Sequence, residues 1–584
     1  MNKRALYLSL LILSIITASS LYLSWSADTG LGDLIVERME IESDAGRPVS
    51  FLVYSPRYRT YAQPMPIVLT THGIAGSKEG MYSFNIELAR RNFTVISVDL
   101  AGHGDSELSF DWTDYATLAD DCYAALRYIQ TTRAYVDNNL YGMLTHSLGL
   151  QVALAVNELA IKPHAFAAVG YLGDIDIRDT VVFPGNFLLA LGEFDEMIST
   201  DDALEALRRA TGNDSAVAGV TYGSFENQTA YKLALAPTEH VFEALDATIV
   251  AESVLWLVQA LQGESQVNRT LPMYEQVYQY KVMATATAPL GLLVSAIPLM
   301  FVIYSALPES LKPRKIPNNA TVFPIKKTVI YGSAVGAAMI LLFAASCAAS
   351  FHLESADSAW ISSMFGSGQM LFLGLGVLVL PLTMMLLIGK ENTKLALAAV
   401  GIERTSPKEK LTAFLKVSLV GGACIAWLLG WIMVGGLPES MTPWIAIALV
   451  KTPVGVRAFN MLILFLLGIP YFAVEAAWIR GIMLPKRDWG GKREFTKNMG
   501  LAFITRIAVA GVLAIAITSA TTLLGLIAGP MVLLGLLLLL FMIVSMLTTL
   551  LISWASLEME NPWPAVILSA FLWAWVAISS IPII

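Results

Sequence analysis

From residue 283 onward the chain is a succession of apolar runs separated by short polar loops. Each run is about 20 residues long, enough to cross the hydrocarbon core of a bilayer as a helix. In lipid, only a helix or a closed barrel satisfies its own backbone. Residues 283–584 are therefore expected to form an all-α polytopic membrane domain of about eight transmembrane helices. The candidate spans are 283–304, 328–350, 364–388, 417–437, 458–479, 501–527, 531–551 and 564–583. The segment 444–450 is too short to span and is expected in the interface. The chain as a whole is 55% apolar and 14% charged, against roughly 25% charged in an average soluble domain. The shortage lies in this half, because residues 28–280 carry Asp, Glu, Arg and Lys throughout.

Lys3 and Arg4 precede one more apolar run, over 5–25. Two readings are open, an uncleaved anchor and a signal peptide cut near Ser24-Trp25-Ser26-Ala27. The run exceeds the usual signal core of roughly 7–15 residues, which favours a signal anchor over 1–27. Three basic loops then fix the orientation. Lys312, Arg314, Lys315, Lys326 and Lys327 lie in one, and Lys390, Lys394, Arg404, Lys408 and Lys410 in the loop two spans later. Lys486, Arg487, Lys492, Arg493 and Lys497 lie in the loop two spans after that. The intervening loop, 351–362, holds Glu354 and Asp357 and no Lys or Arg. By the excess of positive charge in cytoplasmic loops, the domain over 28–265 is expected outside the cytoplasm, with a linker over 266–282. Glycosylation-type triplets at Asn92, Asn213, Asn227 and Asn268 agree with this placement. A fifth, at Asn319 in an expected cytoplasmic loop, deprives them of weight.

The net charge of −8 comes with no basic patch, so nucleic acid is not an expected partner. Of the three cysteines only Cys122 lies before the membrane half, so no disulfide staples the soluble domain. A domain of this length buries a sufficient core without one. Within it, strand-like runs at 66–71, 94–100, 140–144, 165–172 and 186–191 alternate with helix-like stretches at 84–91, 115–132, 150–160, 202–210 and 241–261. That alternation predicts a mostly parallel sheet covered on both faces. The spacing leaves no room for a large lid, so an open site is expected.

Ser147 lies in Thr145-His146-Ser147-Leu148-Gly149, at the end of one such strand and ahead of a helix. A serine on that turn, with glycine two residues on, has the form of a nucleophile elbow. Three further stretches accompany it: Thr71-His72-Gly73-Ile74-Ala75-Gly76, then Asp99 to Ser106 with Gly102-His103-Gly104, and Gly192-Glu193-Phe194-Asp195 followed by Glu239-His240. In this order and spacing, residues 36–262 resemble the α/β-hydrolase family. The resemblance implies a nucleophile at Ser147, a base at His240 and an orienting acid at Asp195, with Glu193, Glu196, Asp174 and Asp176 as rivals for the acid. It also implies oxyanion donors at the backbone N–H groups of Leu148 and Ile74. Thr145 departs from the pattern, because the family usually has glycine there, and Leu150 replaces another frequent glycine. His103 is expected in a structural loop, and His146 packed in the elbow. No cofactor and no metal are expected.

Ionisable residues in spans are costly. Glu475 and Arg480, with Arg506 in the next span, are expected to pair across helices or to line a polar path. The stretch 470–481 faintly resembles the Glu-Glu-x-x-x-Arg-Gly motif of intramembrane CAAX-type proteases. Those enzymes need membrane histidines, and none of the six here (His72, His103, His146, His164, His240 and His352) lies in a late span. The expected function is that of a membrane-bound serine hydrolase, cleaving an ester or thioester carried by a lipid or small amphiphile. The alternatives are a peptidase or acyltransferase using the same residues, or a ligand-binding domain on a transporter or receptor. The expected partners are an acyl substrate and the lipid bilayer, and the sequence sets no oligomeric state.

Overall fold

The computed structural model describes residues 3–58, 64–170, 185–355, 365–401, 407–435, 455–484, 496–505, 511–512, 515–516, 529–579 and 583. Asp174, Asp176, Arg506, the segment 444–450 and most of the sixth candidate span lie outside them. Contacts divide the chain into two compact units, one built on residues 16–289 and the other on the helices from 290 onward.

The first unit holds eight strands: β1 (Leu34–Glu42), β2 (Pro48–Pro56), β3 (Met65–Thr71), β4 (Thr94–Val98), β5 (Val136–His146), β6 (Phe166–Val169), β7 (Phe187–Gly192) and β8 (Tyr231–Ala236). They form one sheet in the order β1-β2-β4-β3-β5-β6-β7-β8. β2 runs antiparallel to both of its neighbours, β1 and β4, and every other pairing is parallel. A strand covered on both faces reads as a continuous apolar run, and β3 and β4 are buried at every position.

The first soluble helices are α2 (Tyr82–Ala89), α3 (Tyr115–Thr132), α4 (Gly149–Asn157), α5 (Thr200–Thr211) and α6 (Ala247–Leu257), following α1 (Lys3–Asp28). One core joins Phe84, Ile86 and Leu88 of α2 with Ile249, Val254 and Trp256 of α6 over Val68, Val95, Leu144 and Leu188 of the sheet. The expected helix over 241–261 is broken in two. A 3-10 turn, His240–Leu245, comes first, and Asp246 then caps α6 by accepting from the N–H groups of Thr248 and Ile249 at 2.8 and 3.0 Å. That break sets His240 at a strand-end loop instead of on a helix face.

The linker is tied down. The carboxylate of Glu87 accepts from the N–H groups of Val277 (2.7 Å) and Tyr278 (3.2 Å), at the start of α7 (Tyr278–Ala306). It also pairs with Arg91 at 2.8 Å, and Arg91 in turn donates to the Pro272 carbonyl at 2.6 Å. Asp28, at the end of α1, and Lys281 form a buried ion pair. The hydroxyls of Ser20 and Thr287 meet at 2.8 Å.

The second unit is helical. Among the described residues of the whole chain, seven helices have the length and apolarity to cross a membrane. They are compatible with a multi-pass membrane protein. Phe343, Phe372, Phe541 and Trp573 form an aromatic cluster in this unit, with ring centroids 4.6–5.8 Å apart. Arg480 is buried and donates to the carbonyls of Ala399 (2.7 Å), Glu560 (3.2 Å) and Ile316. Its guanidinium thus satisfies backbone carbonyls at two helix ends and in a loop, where the sequence suggested a partner in Glu475.

Candidate active site

The turn between β5 and α4 carries Ser147 at φ +52°. Its N–H donates to the Val169 carbonyl at 2.9 Å, so the strained residue is anchored to β6. Left-handed backbone at a side-chain-bearing residue costs on the order of 1–2 kcal/mol. The departure at Thr145 adds no backbone strain, because Thr145 lies in regular strand paired with Thr71 and Ala168. Extended backbone suits a β-branched residue. The tight point is Gly149, where a Cβ would sit 2.6 Å from the Thr71 carbonyl oxygen.

Two other strand ends deliver the remaining groups. His240 follows β8 and Asp195 follows β7. The Ser147 hydroxyl donates to Nε2 of His240 at 3.0 Å, and Nδ1 of His240 donates to Oδ2 of Asp195 at 2.8 Å. Oδ1 of Asp195 accepts from the N–H groups of Met197 and Ile198 at 2.5 and 3.2 Å. Its carboxylate is wholly buried, so these amides supply the hydrogen bonds that water would otherwise give. The structure therefore separates Asp195 from two of its rivals: Glu193 is exposed, and Glu196 accepts the backbone N–H of His240 at 3.1 Å.

The turn after β3 packs against the elbow. A Cβ on Gly73 would lie 3.0 Å from Cβ of Ser147, which puts Ile74 beside the serine. Leu148 is the N-cap of α4, at the helix end where backbone N–H groups have no intrahelical partner. His72 fixes the neighbouring loop. Its Nδ1 donates to the Gly73 carbonyl at 2.8 Å, and its Nε2 accepts from the N–H of Leu100 at 3.2 Å. Burial lowers the pKa of this imidazole, in keeping with one ring nitrogen donating and the other accepting. His103 is buried beside it, with ring centroids 5.1 Å apart and Nδ1 on the Ala101 carbonyl at 2.9 Å. It is a loop residue, as expected.

Two neighbours complete the cluster. His146 stacks on His240 at 5.2 Å, and its Nε2 donates to the His240 carbonyl at 3.3 Å. Burial and the His240 ring push its pKa down to about 3. Glu243, which sequence reasoning did not single out, is buried three residues after His240, on the same turn. Its spacing from His240 was the available signal. His146, His240 and Glu243 bring three possible metal-ligand atoms within 4.8 Å of one another. Both ring nitrogens of His240 are already engaged, by Ser147 and Asp195, so a metal there would have to displace one of them.

Residues 67–298 match the alpha/beta hydrolase family model. This part of the chain belongs to that family, and the protein is a hydrolase-type domain joined to a helical region. No curated protein matches the chain. Among solved structures, a cold-adapted esterase from an Arctic intertidal metagenomic library is similar at 19% identity and a TM-score of 0.29, covering 39% of this chain and 95% of its own. An esterase of Pyrococcus furiosus is similar at 14% identity and a TM-score of 0.29, covering 38% and 92%. An epoxide hydrolase of Vigna radiata is similar at 18% identity and a TM-score of 0.19, covering 23% and 38%.

Proposed function

We propose that the protein is a membrane-bound serine hydrolase that cleaves an ester or thioester of a lipid or other amphiphile through an acyl-enzyme. The observation that carries the reading is the continuous chain of hydrogen bonds from Ser147 through His240 to Asp195. His240 takes the hydroxyl proton on Nε2 as Oγ of Ser147 attacks the acyl carbon. Asp195 holds the imidazole by Nδ1 and stabilises the imidazolium that forms. The developing oxyanion is received by the N–H groups of Leu148 and Ile74. His240 then protonates the leaving alkoxide or thiolate, and deprotonates the water that releases the acid.

Two observations support an amphiphilic substrate at a bilayer. Phe194 and Phe242, each close in sequence to a triad member, are 62% and 49% exposed, an apolar rim of the kind that receives an acyl chain. Tyr22 and Trp25 on the last turns of α1, with Tyr280 on the first turn of α7, are also exposed. Tyr and Trp favour the headgroup level of a membrane, which would seat the domain at the lipid surface.

The test is labelling of the full chain with a fluorophosphonate probe. Wild type should label and Ser147→Ala should not. Equal labelling of the two would remove the reading. A panel of lipid esters, thioesters and peptides then identifies the acyl group, with lipid esters expected to turn over.

A further inference from the structure

We propose that Glu243 is a neutral, hydrogen-bond-donating neighbour of Asp195, a positioning residue that keeps the Asp195–His240 pair in its working charge state. The inference rests on the Ser147–His240–Asp195 reading above.

The geometry leaves Glu243 little choice. Its side chain is fully buried, and Oε1 accepts from the N–H of Gly192 at 2.6 Å. Oε2 lies 3.6 Å from Nδ1 of His240 and 3.7 Å from Nε2 of His146. Both of those nitrogens are already committed, the first to Asp195 and the second to the His240 carbonyl. Oε2 therefore accepts no hydrogen bond from the described residues. A buried carboxylate oxygen without a donor is costly. A protonated one becomes a donor itself, and Nδ1 of His240, 3.6 Å from Oε2, is the same nitrogen that Oδ2 of Asp195 holds at 2.8 Å, which brings the two carboxyls together.

Two carboxyls in one dry site do not both ionise. Asp195 receives two amide donors and an imidazole where Glu243 receives only the Gly192 amide, so the proton belongs on Glu243. The groups facing Glu243 are Asp195 and Glu196 from the loop after β7, His146 from the end of β5, and His240 from its own turn. Burial first, and the Asp195 charge second, push the Glu243 carboxyl up to about 10. A donor on Asp195 shares that carboxylate's negative charge with His240. The Nδ1 proton then stays on His240 while Nε2 accepts the serine proton, and the carboxylate cannot rotate away.

The test follows the rate of fluorophosphonate labelling against pH in the detergent-solubilised full chain. Glu243→Gln, whose amide also accepts from Gly192 and donates to Asp195, should label within about threefold of wild type, with the same acid limb. Glu243→Ala should label about tenfold or more slowly, with its acid limb raised by about half a pH unit, since an uncovered Asp195 holds the imidazolium more tightly. A merely structural role would leave that limb in place. A wild-type rate and limb in Glu243→Ala would overturn the proposal. So would an acid limb lowered by about one unit in Glu243→Gln, because that is the signature of removing a negative charge. Ser147→Ala keeps the two readings apart. If it labels like wild type, the serine-hydrolase reading fails; if it is silent while both Glu243 variants behave as wild type, only the role of Glu243 fails.

Discussion

Ser147 takes φ +52° where every other part of the elbow is ordinary strand or helix. The strain belongs to the nucleophile, and glycine is the residue that relieves it. Ser147→Gly and Ser147→Ala should both be silent towards the probe. The glycine variant should be more stable by about 1 kcal/mol, read as a higher melting temperature; equal melting would place the strain elsewhere. Glu243 gives a second residue-level expectation. Its carboxyl ordinarily titrates near 4.5 and is pushed up to about 10 in the folded chain. A raised acid contributes stability that is complete below the unfolded value and is lost as pH rises through the folded one. Glu243→Gln has nothing to lose there. Its melting temperature should match wild type below pH 4.5 and exceed it increasingly towards pH 8.

At the level of elements, Glu87 on α2 joins the linker to the domain. It accepts two backbone N–H groups at the start of α7 and neutralises the buried Arg91. Removing one partner of a buried pair leaves the other charge uncompensated, at a cost of about 3–5 kcal/mol. Glu87→Ala should therefore lower the denaturation midpoint sharply, while Glu275→Ala, whose contact with Arg90 is exposed, should hardly move it. This joint was not legible in the sequence, because a buried glutamate on an amphipathic helix looks like any surface glutamate. The elements around the site were legible. The strands 66–71 and 186–191 and the helix 115–132 stand out because fully buried strands are continuous apolar runs and α3 keeps a helical period. The edge strands β1 and β8 did not stand out, since β1 is half-exposed or exposed at every position after Leu34 and β8 mixes half-exposed with buried positions. Ser147, His240 and Asp195 were singled out through ordered motifs, and the fold brings them together. Glu243 was missed because its role depends on the break between the His240 turn and α6, which no local signal announces.

For the whole molecule, we propose from the basic loops that the hydrolase-type domain faces away from the cytoplasm. Its three native cysteines are buried, so an introduced thiol can be read against a quiet background. In intact cells, Asn213→Cys should react with a membrane-impermeant thiol reagent, and Lys394→Cys should react only after permeabilisation. The reverse pattern would invert the orientation. The buried pair between Asp28 and Lys281 carries a further meaning. The polypeptide leaves one helix and enters the other at neighbouring points, so all of the chain between them is topologically an insertion into a helical hairpin. Gain or loss of such an insert leaves the number of crossings unchanged and the direction of each later span as it was. The hydrolase-type domain is thus an insert whose two ends are fastened together within one continuous chain.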